Sequence, residues 1–436
     1  MKMNNQASKS HLMKNDFYII DDLLLQILFR LPCSESVIRC KCVSKQWCKV
    51  ISEPGFDAEF IAHKINNSQL SSSKNEEQLP SIFGLRRYNK KPFIYPTHPT
   101  FTNLDFSLSF IPTYEQGPEY RIVVKASCSD LVVCISPSPK DLYLYVCNPR
   151  TKQYFQLPPP SQKKHPALIG FTCDPFYVFD KEADQVTLST CFRFSVCYAF
   201  FARAKADRLE IEIFSSENRV WRKAILLTPQ YFDYNYATLK NCFTYKEILH
   251  FYSDCAIIGF DPYKINEDGE IHTHFIQMPP FDATANRGVC IGVFGGKILV
   301  AELCARYVHP RQLINTAQVS NISIIEPASS AYGIKVWELN NYSTGEWSMK
   351  HMIYFHELVS PDSLLTQYTM RGCPNSEVLF FHPNDADTVL LRLPKLVAEC
   401  NLKDKTIKRV CNFSKQLQKV YGVAFPWWPS PLPSIM

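Results

Sequence analysis

Hydrophobic and polar positions along the chain fall into two textures that meet near residue 80. In the first, Leu23, Leu24, Ile27, Leu28 and Leu31 follow an i, i+1, i+4, i+5, i+8 order, which places them on one broad face of an amphipathic helix. Asp21 and Asp22 suit the positive end of the helix dipole. Pro32 removes a donor and restricts Leu31, so the helix stops there. Ser34 or Ser36 is placed to cap a second short helix bearing Val37, Ile38 and Cys42. Ser44 is placed to cap a third with Trp47, Val50 and Ile51 as its apolar residues. Phe56, Phe60 and Lys64 keep helical spacing beyond Pro54-Gly55, so the helical unit is set at residues 16–64. Such a unit buries too small a fraction of its surface to enclose a core by itself. Its stripes need a partner, and periodicity alone leaves open whether that is the rest of the chain or another protein.

Residues 1–15 are polar and aperiodic and are expected to form a disordered leader. The stretch Ile65 to Pro80, INNSQLSSSKNEEQLP, is polar and Ser-rich and is expected to be a linker. From residue 81 to 436 the texture becomes short alternating runs rich in aromatic and β-branched residues, separated by turn signals. Arg121 to Cys134 gives two runs about a Ser-Cys-Ser-Asp corner. Leu142, Leu144 and Val146 alternate with Tyr143, Tyr145 and Cys147 before Asn148-Pro149 turns the chain. The scheme recurs at Leu209, Ile211 and Ile213 followed by Val220-Trp221, and at Val336-Trp337 followed by Trp347. It recurs without the aromatic in LVAECNLKDKTIKRV. Long helical patterns are absent, so this region is expected to be mostly β. Strand-turn-strand units with a trailing aromatic favour a β-propeller, because radial repetition leaves few exposed edges. A β-sandwich is the alternative. The fold class is thus α+β multidomain, a small helical domain followed by a large β-domain. Glycine pairs of the kelch type are scarce, Gly295-Gly296 being the single pair.

Composition narrows the function. A formal charge of +6 on 436 residues gives no dense basic face for nucleic acid, and Arg39, Lys41, Lys45 and Lys49 suit a solvated or partner-facing side of the helices. The apolar stretch Cys290 to Ala305 is broken by Lys297 and Glu302, so no membrane segment is expected. The cysteines, 17 in number and scattered, together with an opening MKMNNQASKSHLMKND that lacks an apolar run, point to reduced thiols in cytoplasm or nucleus.

Chemical motifs are sparse. Cys40, Cys42 and Cys48 lack zinc spacing and suit helix burial better, so no metal or other cofactor is expected. His272 and His274 flank Thr273, which on one strand would point both to the same face, but two histidines alone are a weak ligand signal. Asp254 and Asp261 are candidate acid and base only in principle, and Asp261-Pro262 reads better as a turn, as does Asn266 to Gly269. Nucleophile elbows, metalloprotease helices and phosphate-binding loops are missing. Aromatics make up 13% of the chain, and the run FPWWPSPLP with Trp427 and Trp428 is expected to be a closing strand with a Pro-stiffened tail. An exposed partner site is the other reading of that run.

The segments DDLLLQILFRLP and SVIRCKCVSKQWCKVIS resemble the F-box, in the KCVSK-x-W form of plant F-box proteins. Ile19 and Ile20 stand where the family usually has Leu-Pro, and Cys33 to Ser36 is one residue longer than the commonest form. Further on, Cys147, Asn148, Pro149, Thr151, Lys152, Leu157 and Pro158 resemble the hallmark of the plant F-box-associated domain, with Ser129-Asp130 where that family more often has Asn-Gly. The resemblance implies a non-catalytic receptor subunit of an SCF ubiquitin ligase. It would dock on Skp1, and through it on cullin and RING components, by Leu23, Leu24, Ile27, Leu28, Leu31, Pro32, Val37, Ile38, Cys42, Val43 and Trp47. The β-domain would recruit an unidentified target protein. Leu28→Asp would then abolish adaptor binding. The alternatives are a non-degradative F-box scaffold, or a propeller binding carbohydrate or another small ligand behind a degenerate F-box.

Overall fold

The computed structural model describes residues 19–70, 81–87, 93–96, 108–112, 122–137, 142–161, 168–180, 182–199, 208–227, 241–253, 255–281, 289–305, 332–371, 376–382, 385–412, 417–424 and 426–433. The leader expected at 1–15 lies outside them.

Four helices open the described chain: α1 (Asp21–Arg30), α2 (Ser34–Cys40), α3 (Lys45–Ile51) and α4 (Phe56–Leu70). Leu31 turns extended at ψ 144° ahead of Pro32 and ends α1. Ser44 caps α3 by accepting from Trp47 N at 3.2 Å. The α2 cap differs from expectation: Cys33 is the N-cap residue, Ser34 is already helical, and Cys42 falls in the turn beyond the helix. The Ser34 hydroxyl is engaged elsewhere, as shown below. The expected linker also starts too early, because α4 continues to Leu70 and buries Ile65. Residue Ile65 lies one turn beyond Ile61 on the same apolar edge, so burial carries the helix on through polar sequence.

Six sheets then stand in a ring, five full blades and a three-stranded closing blade. The first full blade is β3 (Val123–Cys128), β4 (Leu131–Pro137), β5 (Leu142–Asn148) and β6 (Gln153–Gln156). The second orders β7 (Leu168–Cys173), β10 (Phe194–Ala199), β11 (Arg208–Ser215) and β12 (Val220–Leu227), with the short β16 (Glu270–Ile271) parallel on its edge. Between β7 and β10 a separate hairpin is inserted, β8 (Tyr177–Asp180) and β9 (Gln185–Leu188). The third blade is β13 (Asn241–Tyr245), β14 (Ile248–Tyr252), β15 (Ala256–Phe260) and β17 (Thr273–Gln277). The fourth is β18 (Cys290–Phe294), β19 (Lys297–Ala305), β20 (Tyr332–Asn341) and β21 (Glu346–Tyr354). The fifth is β22 (Glu377–His382), β23 (Asp385–Leu393), β24 (Leu396–Asn401) and β25 (Thr406–Asn412). The last strand, β26 (Leu417–Ala424), pairs with β1 (Ser81–Arg87), and β1 with β2 (Phe93–Pro96). Innermost strands β3, β7, β13, β18, β22 and β26 adjoin in that order and return to β3. This is a propeller and not a sandwich.

The trailing aromatics of the sequence pattern join neighbouring blades. Trp221 on β12 donates through Nε1 to Pro158 O of the preceding blade at 2.7 Å, and Trp347 on β21 does the same to Gln277 O at 2.9 Å. The apolar core is divided among the gaps between blades, as where Phe155 meets Phe194 and Phe214. Approach is tight at Gly170 on β7, where a Cβ would lie 2.5 Å from Phe251 Cε1 and 2.8 Å from Leu249 Cδ2. Gly170→Ala is therefore expected to destabilise the ring by about 1–3 kcal/mol through overpacking. Thermal melting checks this, and an unchanged midpoint would mean that Phe251 yields without cost.

One helix has no counterpart in the sequence pattern. After a 3-10 turn at Phe355–Glu357, α5 (Ser363–Arg371) runs between β21 and β22. Asp362 caps it, accepting from Leu364 N at 2.9 Å, and is itself held by Arg409. The Ser-Pro-Asp-Ser run at 360–363 was the available signal. No helix among the described residues is long and apolar enough to cross a membrane.

Candidate docking face and the joint behind it

A helix turns about 100° per residue, so adjacent apolar residues face different ways. On α1 this divides the stripe. Leu24 and Leu28 are fully buried, packing with Val37 of α2, Val50 and Ile51 of α3, and Phe56 and Phe60 of α4. Ile20, Leu23 and Ile27, at i, i+3 and i+7, form a second row that faces solvent, Leu23 being 53% and Ile27 39% exposed. Ile38 near the end of α2 and Val43 in the following turn are exposed as well, with Pro32 and Cys42. Leu31 and Trp47 are half-buried against the helical core. Of the residues expected to meet a partner, Leu24, Leu28 and Val37 are therefore corrected to core residues. The remaining ones are on or at the margin of the surface. Gln46 of α3 ties down the start of α1, donating from Nε2 to Asp21 Oδ1 at 2.7 Å and to Ile19 O.

The helical unit is closed from behind by the ring. Ala58, Ile61, Ala62 and Ile65 of α4 meet Tyr177, Phe179, Val186 and Leu188 of the β8–β9 hairpin, and Asn66 Nδ2 donates to Asp184 Oδ1 at 3.0 Å. Trp428 stands edge-on against Phe56 and Phe60, with centroids 6.3 and 5.8 Å apart. Here the expected closing strand is corrected: β26 closes the ring upstream, and the two tryptophans follow it in a non-strand segment laid over α4. Trp427 and Trp428 sit among prolines, which cannot serve a ladder.

Polar groups complete the joint. In the β5–β6 turn, Asn148 Oδ1 accepts from Arg150 N at 3.0 Å and Thr151 N at 3.3 Å, fixing the turn. Its Nδ2 donates to Asp130 Oδ2 at 2.7 Å and to Ser430 O at 3.3 Å, while Ser430 N donates to the same Asp130 oxygen at 2.9 Å. Arg150 then reaches across, Nη1 to Pro426 O at 3.0 Å and Nη2 to Ser34 Oγ at 2.5 Å. Burial holds the Asp130 carboxyl above the usual carboxylate range and lowers Arg150 from its ordinary value, although a guanidinium stays protonated.

A family model for the F-box domain matches residues 20–58. A second, described as F-box protein At3g26010-like, beta-propeller, matches residues 100–321, just over half of the chain. The chain is an F-box β-propeller protein. Two Arabidopsis thaliana relatives align along most of their length. F-box protein At5g07610 is 24% identical over 419 residues, covering 90% of this chain and 86% of its own, and F-box protein At5g49610 is 23% identical over 340 residues, covering 76% and 77%. Among solved structures, TolB from Acinetobacter baumannii aligns at 10% identity with a TM-score of 0.40, over 84% of this chain and 72% of TolB. That likeness is too loose to bear on function.

In this F-box propeller the Asn-Pro hallmark is thus a structural device: its Asn148 and the neighbouring Arg150 hold the tail and the F-box to the ring. Ser129, at the position often occupied by Asn, takes φ +53° in the β3–β4 turn. Other candidate residues are dispersed. His272 lies exposed in the break between β16 and β17, and only His274 is on a strand, stacked on Tyr342 with Nε2 bonded to Tyr342 O at 2.7 Å. The two do not share a face because the chain changes blades between them. Asp254 lies outside the described residues, and Asp261 is a turn residue, accepting from Tyr263 N. Cys40 packs on the helical core while Cys42 and Cys48 are exposed. An F-box implies a Skp1-type partner, and its union with a propeller places the chain with the receptor subunits of SCF ligases.

Proposed function

We infer that this protein is the substrate receptor of an SCF-type ubiquitin ligase, docking on a Skp1-like adaptor and through it on cullin and RING components. The observation that carries the reading is the divided α1 stripe: Leu24 and Leu28 close the module, while the apolar row Ile20, Leu23 and Ile27 is exposed among the described residues. Burying a Leu or Ile side chain is worth roughly 1.5–3 kcal/mol, and such a row, with Ile38 and Val43, suffices to anchor a partner. The propeller would hold the target protein. Its F-box side is the end at which the innermost strands finish, and the opposite end is the proposed target side. The receptor supplies no reacting group and acts by proximity, raising the concentration of a target lysine near the activated thioester. Free thiols at all the described cysteines suit a reducing cytoplasm or nucleus.

Co-purification of the full chain with a Skp1 homologue tests the docking. Leu23→Asp and Ile27→Asp are each expected to weaken binding at least ~30-fold, since a charge would be carried into an apolar contact at a cost of about 2 kcal/mol or more. Wild-type affinity in both variants would move the contact elsewhere.

A further inference from the structure

The segment 426–433 touches three parts of the molecule that are far apart in sequence. Its carbonyl at Pro426 accepts from Arg150, its Ser430 backbone is held on both sides by Asp130 and Asn148, and Trp428 closes on Phe56 and Phe60 of α4. Trp427 N reaches Tyr177 OH of the β8–β9 hairpin at 3.3 Å. Ser430 and Asp130 are buried, as is Arg150, whose guanidinium bonds the tail with one nitrogen and Ser34 of the F-box with the other. A planar fork serving two partners at once fixes their relative orientation as well as their distance. Because these groups have left water, breaking any one of the bonds leaves a buried polar group unpaired, and the arrangement resists partial opening.

We propose that this tail is a clamp that fixes the F-box on the propeller, with Arg150 and Trp428 as positioning residues for ubiquitin transfer. The proposal rests on the receptor reading above. A target held by the ring is presented to the ligase through this joint. Rigidity there sets which lysines come within reach of the thioester, and a loose joint spreads transfer over many positions. The β8–β9 hairpin supplies the opposing jaw, so α4 is gripped between an insertion in the second full blade and a segment that follows the closing strand.

Hydrogen exchange on the full chain tests the clamp. Trp428→Ala and Arg150→Met are expected to raise exchange at least ~10-fold in α4 and in β8–β9, leaving β23 and β24 unchanged, because local opening is governed by local contacts. Trp428→Phe should restore most of the α4 protection. Unchanged α4 exchange, or an equal rise throughout the ring, overturns the clamp. Positioning is read separately, in a ligase reconstituted with a Skp1 homologue, as the distribution of self-ubiquitinated lysines on the propeller. Wild type should modify a few sites, and Trp428→Ala many, at unchanged adaptor affinity. The same site pattern in a variant whose α4 has loosened overturns the positioning role. Failure of wild type to bind the adaptor would sink the receptor reading, and the positioning role that rests on it, while leaving the exchange result to decide the clamp.

Discussion

Leu28→Asp should unfold the helical module, whereas Leu23→Asp, with the same chemistry five residues away, should leave it folded. Leu28 is fully buried among Val37, Val50, Phe56 and Phe60. Removing its side chain alone costs about 2–5 kcal/mol, and carrying a carboxylate into that site costs several more. A module of some fifty residues has roughly 3–7 kcal/mol of stability to lose. Both variants are expected to bind an adaptor poorly, for different reasons. Helical circular dichroism separates them: the Leu28→Asp chain should lose most of its helical signal at 25 °C while the β signal of the ring, and α5 with it, persists. A native helical signal in Leu28→Asp would mean that the inner row of α1 is not its core.

Acid should weaken the ring through His250. This residue is fully buried on β14, its Nδ1–H donating to Ile248 O at 2.9 Å and its Nε2 accepting from Tyr342 OH at 2.8 Å, with Phe243 stacked at 4.9 Å. The carbonyl can only accept, so the proton belongs on Nδ1 and the neutral ring is fully satisfied. Burial lowers its pKa to about 4, from 6.5, with His274 nearby adding in the same sense; Tyr245 and Tyr342 are the other titratable neighbours. A histidine with a depressed folded-state pKa binds its proton first in the unfolded chain. Its contribution is complete above pH 6.5 and is lost as pH falls to about 4. The loss amounts to roughly 3 kcal/mol, or about 4 °C of melting temperature for a β-domain of this size. His250→Gln can keep one donor and one acceptor without titrating, so its melting temperature should fall less between pH 7 and 4 by that amount. Parallel pH profiles for wild type and variant would exclude His250 as the source.

Much of the fold was legible because local rules and tertiary packing agree. Pro32 and Ser44 mark helix ends by their own chemistry, and alternation in Leu209 to Ile213 or Leu142 to Val146 specifies strands that pack into the blade gaps. Trp221 and Trp347 betrayed the ring, since each occupies an outer strand and bonds to the blade before it. The docking face was half legible. Periodicity marks α1 as apolar over a wide arc, but which edge of the arc turns inward depends on where α3 and α4 lie. The joint was not legible at all. Arg150 meets Ser34 across 116 residues and Ser430 meets Asp130 across 300, and a serine in a proline-rich tail gives no hint of such a partner.

The pairing of β1 with β26 has a consequence for synthesis. Helices α1 to α4 meet one another within fifty residues of sequence, but Ser81 waits for Ala424 before its inner edge is paired. At 5–20 residues per second that wait is roughly 20–70 s, during which β1 offers an open edge to any passing strand. The segment 426–433 comes later still, so a nascent chain can expose the F-box helices without the grip that fixes their bearing. The residues that follow β26 are thus the ones that turn a tethered module into an aimed one.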